Sequence, residues 1–110
     1  MAQAQRGEVW LVDLGLVAKV RPCLVVSVLA GDTDRALATV LAHTTSPRGS
    51  RFEVALRLFY LCSGVLDAQN LVTIPHAKLV RRLGRLSEEE LRQVEEALRR
   101  WLGLVEKQAQ

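Results

Sequence analysis

The chain has 110 residues, 49% of them hydrophobic and 25% charged, with a formal net charge of +3. That length supports one hydrophobic core and one domain over residues 1–110, with the composition of an ordinary soluble protein. The longest apolar run, Cys23 to Ala30, is broken by Ser27 and far too short for a bilayer span, and no apolar leader follows Met1, so a cytoplasmic protein without a membrane partner is expected.

The first predicted strand is Glu8–Leu14, where Val9, Leu11 and Leu14 mark a half-buried pattern. After the connection Gly15–Val20, Arg21-Pro22 opens a second strand over Cys23–Leu29 whose continuous apolar start implies burial on both faces. The turn Gly31-Asp32-Thr33-Asp34 leads to a third strand over Ala36–Ala42, and Ser46-Pro47-Arg48-Gly49-Ser50 to a fourth over Arg51–Leu56. Phe59–Gly64 is ambiguous, and Leu71–Ile74 reads as the last strand, with Asp67-Ala68-Gln69-Asn70 leading into it. Ser87 and Glu90 have the spacing of a capping box, and Leu91, Val94, Leu98, Trp101 and Leu102 recur on one helical face, with Gly103 as the stop. Trp101 is expected to pack into the core and Val105–Gln110 to fray. Short strands, punctuating turns and one C-terminal helix imply a mainly β fold, a small β-barrel.

Cys23 and Cys62 both lie in apolar sequence without CxxC or Cys/His spacing, and read as buried free thiols. No nucleotide-binding glycine loop, metal-ligand cluster or serine-hydrolase elbow is visible, so no metal and no other cofactor is expected. What remains is polar chemistry at strand ends. Pro22 fixes its own φ and biases Arg21 toward an extended backbone, a rigid mount for a permanently charged, forked donor. Taken alone, an isolated Arg-Pro reads first as a solvated strand-start arginine. His43-Thr44-Thr45-Ser46 closes the third strand, and His43 and His76, far apart in sequence, read alone as structural or surface histidines. From Arg51 to Leu86 the cations Arg51, Arg57, Lys78, Arg81, Arg82 and Arg85 face only Glu53 and Asp67, which fits either a polyanion-binding surface or a solvated rim.

Arg6-Gly7-Glu8-Val9-Trp10, then Arg21-Pro22-Cys23-Leu24-Val25-Val26-Ser27, then Thr44-Thr45-Ser46 through Phe52-Glu53-Val54, then Gln69 before Leu71–Ile74, and Lys78-Leu79 through Leu86-Ser87, together resemble the MazF/PemK/Kid family of toxin endoribonucleases. The resemblance runs from Arg6 to about Leu104. It implies an SH3-like barrel of the CcdB/Kid/MazF type with a C-terminal helix, acting as a homodimer. It also implies a metal-independent endoribonuclease that cuts single-stranded RNA by attack of a ribose 2′-hydroxyl, leaving a 2′,3′-cyclic phosphate and a 5′-hydroxyl. A cognate antitoxin would neutralise it. By the same resemblance Arg21 and Thr44 are the catalytic pair, His43, Thr45, Asp67 and Gln69 are second choices, and Lys19, Arg48, Arg51 and Lys78 contact RNA. Two features depart from the family: the connection Gly15–Val20 is short and apolar, and Asp67 stands two residues before Gln69 instead of one. The competing classes are an RNA- or protein-binding barrel without catalysis and a CcdB-like gyrase-poisoning toxin.

Overall fold

A computed structural model of the chain describes residues 3–15 and 19–104. Its strands are β1 (Glu8–Asp13), β2 (Val20–Val25), β3 (Leu37–Thr44), β4 (Glu53–Val54), β5 (Val65–Pro75) and β6 (Leu79–Arg85), followed by helix α1 (Glu88–Leu102). They form one six-stranded sheet in the order β4-β5-β3-β2-β1-β6, and every pairing is antiparallel. This is the mainly β architecture with a C-terminal helix that the sequence implies.

Both faces of the central strands are buried. Leu24 joins Val9, Leu41, Leu66 and the helix residues Val94 and Ala97 on one face, while Cys23 and Val25 join Trp10, Val12, Val40 and Ile74 on the other. Cys23, Leu24 and Val25 are all 0% exposed, which is why the second half of β2 is continuously apolar. The helix begins and ends as its sequence dictates. Ser87 and Glu90 make the reciprocal capping box, and Gly103 takes the left-handed conformation at φ 71°.

Several expectations are corrected. The second strand stops at Val25, and Val28 and Leu29 are exposed. The fourth shrinks to Glu53–Val54, whereas the last predicted strand extends back through Asp67–Asn70 to Val65. β6 has no predicted counterpart. Cys62 is exposed, because it sits in the irregular segment between β4 and β5 and not in a strand. Trp101 remains 43% exposed: the last helical turn leaves it stacked, tilted, on Phe52 with ring centroids 5.3 Å apart. The frayed tail expected over Val105–Gln110, and Leu16–Ala18 of the short connection, lie outside the described residues.

The opening motif proves to be a joint. Glu8 is 5% exposed and accepts from the Gln5 N–H at 2.8 Å and the Trp10 indole N–H at 3.1 Å. Arg82 and Arg85 of β6 stand 3.4 and 3.7 Å from its other oxygen. Burial alone would push this carboxyl up; the donors and guanidiniums outweigh that and hold it below the ordinary carboxylate range. Arg6 reaches both the Val26 carbonyl and Glu95 of the helix, and Gly7, at φ 93°, donates to Val25 and accepts from Leu86. Arg6, Gly7 and Glu8 thus tie β1, β2, β6 and α1 together. Arg82 and Arg85 belong to this joint, which resolves the role of two members of the basic run.

Candidate active site

β2 carries a proline in a central strand, a position where the missing N–H removes a ladder bond. Its pairing with β3 runs Cys23↔Ala42, Leu24↔Leu41, Val25↔Val40 and stops there, one residue short of Pro22. Continuing the same register places Pro22 across from His43 and Arg21 across from Thr44. Where the strands part there is a cavity of about 350 Å³ lined by Lys19, Val20, Arg21, Pro22, His43, Thr45 and Cys62. The backbone of Lys19 is held in the left-handed region, at φ 57°, and its N–H donates to the Gly15 carbonyl.

His43 is 6% exposed, and burial lowers its pKa from the ordinary imidazole value, so the ring is neutral at pH 7. Its ring edge lies against Gly64. A Cβ there would stand 2.8 and 3.0 Å from His43 Cε1 and Nε2, and 2.2 Å from the Thr44 carbonyl oxygen. Only glycine fits that approach. Thr44 is the last residue of β3, and its Oγ1 accepts from the Ser46 N–H at 3.1 Å, turning the chain and leaving its hydroxyl proton available to another acceptor.

The structure therefore brings Arg21, Lys19, His43 and Thr45 to one cavity, and Thr44 lies between two of its lining residues in sequence without being among them. It does not bring the other expected site residues there. Arg51 lies with its guanidinium 4.7 Å over the Phe52 ring, beside Gln93, Glu96 and Arg100 of the helix. Lys78 is 3.9 Å from Asp13 and lines a different cavity. Asp67 and Gln69 lie in β5, where two steps along β3, from Leu41 to His43, match five along β5, from Leu71 to Leu66. That is a wide bulge, pinned by the Asp67 carboxylate accepting from the Gln69 N–H at 3.0 Å.

Glu53 was missed by the sequence reading. Its carboxylate gathers the backbone N–H groups of Arg48, Gly49 and Ser50 at 2.9 to 3.2 Å and so shapes the loop after Thr44. The Arg48 N–H is the largest influence that lowers its pKa. The available signal was Ser50-x-x-Glu53, the same spacing as the Ser87/Glu90 cap.

These features define a class: a small, mainly antiparallel β protein with one C-terminal helix and a cationic cavity where two central strands separate. The chain belongs to the family of PemK-like, MazF-like toxins of type II toxin–antitoxin systems, whose model matches residues 5–102. Among solved structures it is similar to an endoribonuclease from a mycobacterial species in complex with its cognate antitoxin, at 28% identity and TM-score 0.81, covering 94% of this chain and 99% of that one. An endoribonuclease from a mycobacterial species matches at 27% identity and TM-score 0.77, covering 94% of each chain. MazF from Deinococcus radiodurans matches at 25% identity and TM-score 0.77, covering 94% of this chain and 99% of that one.

Proposed function

We propose that the chain is a toxin endoribonuclease that cleaves single-stranded RNA without a metal ion. The ribose 2′-oxygen forms a bond to the adjacent phosphorus as the P–O5′ bond breaks, giving a 2′,3′-cyclic phosphate and a 5′-hydroxyl. The 2′-hydroxyl proton must leave and the 5′-oxygen must gain one. Negative charge gathers on the phosphate in between, and Arg21 stabilises it through charge-assisted hydrogen bonds. Thr44 donates its hydroxyl proton to a phosphate oxygen or orients the attacking hydroxyl. His43, neutral at pH 7, is the nearest candidate to receive the 2′-hydroxyl proton.

The observation that supports this reading is Arg21, next to Pro22 on β2, lining one cavity with Lys19, His43 and Thr45, the last two flanking Thr44 in sequence. Lys19 is the phosphate contact nearest the chemistry, and Arg48, Arg51 and Lys78 extend the cationic surface away from it. The protein acts as a homodimer neutralised by a cognate antitoxin. Wholly exposed Phe59 and half-exposed Trp101 and Leu102 supply apolar surface for such contacts.

The test is incubation of the purified chain with mixed-sequence RNA in excess EDTA, followed by mapping of the ends. Cleavage leaving cyclic phosphate and 5′-hydroxyl ends is expected. RNA that is bound but left intact would support the non-catalytic binding module instead, and cleavage only on adding magnesium would overturn the mechanism.

A further inference from the structure

The β5 bulge delivers Asn70 to a second cavity. This one, of about 240 Å³, is lined by Asp13, Leu14, Gly15, Asn70, Val72, Ile74, Pro75 and Lys78. Its floor is apolar, from Leu14, Val72 and Ile74 of the packed cluster below, and its rim carries one amide, one carboxylate and one ammonium. Asn70 is exposed, so its amide is open to a ligand. Asp13 is oriented by the Gly15 N–H, donated to its Oδ1 at 2.9 Å, and its Oδ2 lies 3.9 Å from Lys78.

We propose that this cavity is a nucleobase pocket in which Asn70 selects adenine on the RNA strand held at Arg21; the inference rests on the RNA-binding part of the reading above. An unstacked base needs apolar surface against its face and polar groups at its edge. The Asn amide offers a donor and an acceptor side by side, matching N7 and the N6 amine of adenine. The Asp13 carboxylate accepts from an exocyclic amine and repels the carbonyl that guanine and uracil present. Position supports the assignment. Asp13 pairs with Val20 and Val12 with Arg21, and Gly15 accepts from Lys19, so the end of β1 and the start of β2, which line the two cavities, are adjacent. A strand with its phosphate at Arg21 can lay a neighbouring base beside Asn70.

Binding is tested without cleavage by using single-stranded hexadeoxynucleotides, which lack the 2′-hydroxyl: all-uracil, and uracil with one adenine. Fluorescence anisotropy should show the adenine-containing strand bound about tenfold or more tighter, the scale of one bidentate base contact. Asn70→Ala should abolish that preference while leaving all-uracil affinity unchanged, and Asp13→Asn should admit guanine. Equal affinity for both strands, or a preference that survives Asn70→Ala, overturns the pocket. Mapping of cut sites on random RNA separates this inference from the nuclease reading. Uncut RNA with an Asn70-dependent adenine preference retains the pocket and rejects the nuclease. Cleavage whose adenine preference is the same in Asn70→Ala retains the nuclease and rejects the pocket. Unchanged circular dichroism of the variants confirms that the fold is intact.

Discussion

Arginines at two ends of the sheet sit in opposite surroundings. At Glu8, Arg82 and Arg85 close on a carboxylate that is 5% exposed and already holds the Trp10 indole. At Arg21, the cavity gathers Lys19, Arg21 and His43, and no acidic side chain is among its described lining residues. A buried carboxylate needs cations for its own stability and so consumes their charge locally. The proposed function assigns to the cavity lined by cations and an imidazole an anion from outside, an RNA phosphate. The same residue type is structural at Glu8 and, on the reading proposed above, chemical at Arg21.

The most forceful way to break this contrast is to remove one arginine. Arg21→Ala should reduce RNA cleavage by about a hundredfold or more, the scale for losing one transition-state donor, with the thermal midpoint nearly unmoved. Wild-type cleavage rates in that variant would place the chemistry elsewhere. Glu8→Gln should do the reverse. It leaves two guanidiniums facing a neutral amide, costs about 2 kcal/mol in denaturant titrations, and preserves activity per folded molecule. Because the folded carboxyl lies below the reference value of 4.5, its contribution to stability is whole above that pH and is lost as pH falls through the lower folded value. Acid titration of Glu8→Gln should therefore show a shallower loss than wild type, and parallel curves would contradict the joint.

Glu53→Ala sharpens the comparison from the loop side. With three N–H groups released, Thr44 and Thr45 lose their downstream anchor, and cleavage should fall by about tenfold through misplacement while melting hardly changes. At His43 the readout is the pH dependence of stability, separate from its proposed part in proton transfer. Its folded pKa is lowered by burial, so the unfolded chain takes up a proton first as pH drops below the reference 6.5. Stability should decline on acidification below that point, and His43→Gln should flatten the decline.

Much of this was legible in the residues. The two-faced burial of β2, the Ser87–Gly103 helix and the Arg21-Pro22 mount follow from local pattern and stereochemistry. β6 was not legible, because Leu79-Val80-Arg81-Arg82-Leu83-Gly84-Arg85 shows no clean alternation. It is an edge strand that pairs with β1 through two register shifts. Asp67–Asn70 is mostly polar and resembles a loop; it stays in the sheet because a bulge absorbs its extra residues toward β3 while Asp67 pairs with Glu53 of β4. The apolar setting of Cys62 and the helical spacing of Trp101 correctly describe their neighbours in sequence. Neither records where the sheet ends, and both lie beyond its cover.

Gly64 makes the site vulnerable in a way that none of its functional groups does. Its missing side chain is what lets the end of β3 lie so close, and the nearest atom to an added methyl is the Thr44 carbonyl, a backbone atom that cannot swing aside. One base change in a glycine codon would therefore displace both Thr44 and His43 without removing either side chain. If cells expressing this chain are selected for survival, inactivated clones should carry substitutions at Gly64 alongside those at Arg21. The genetic map of the toxin would then include a residue whose whole role is to be absent.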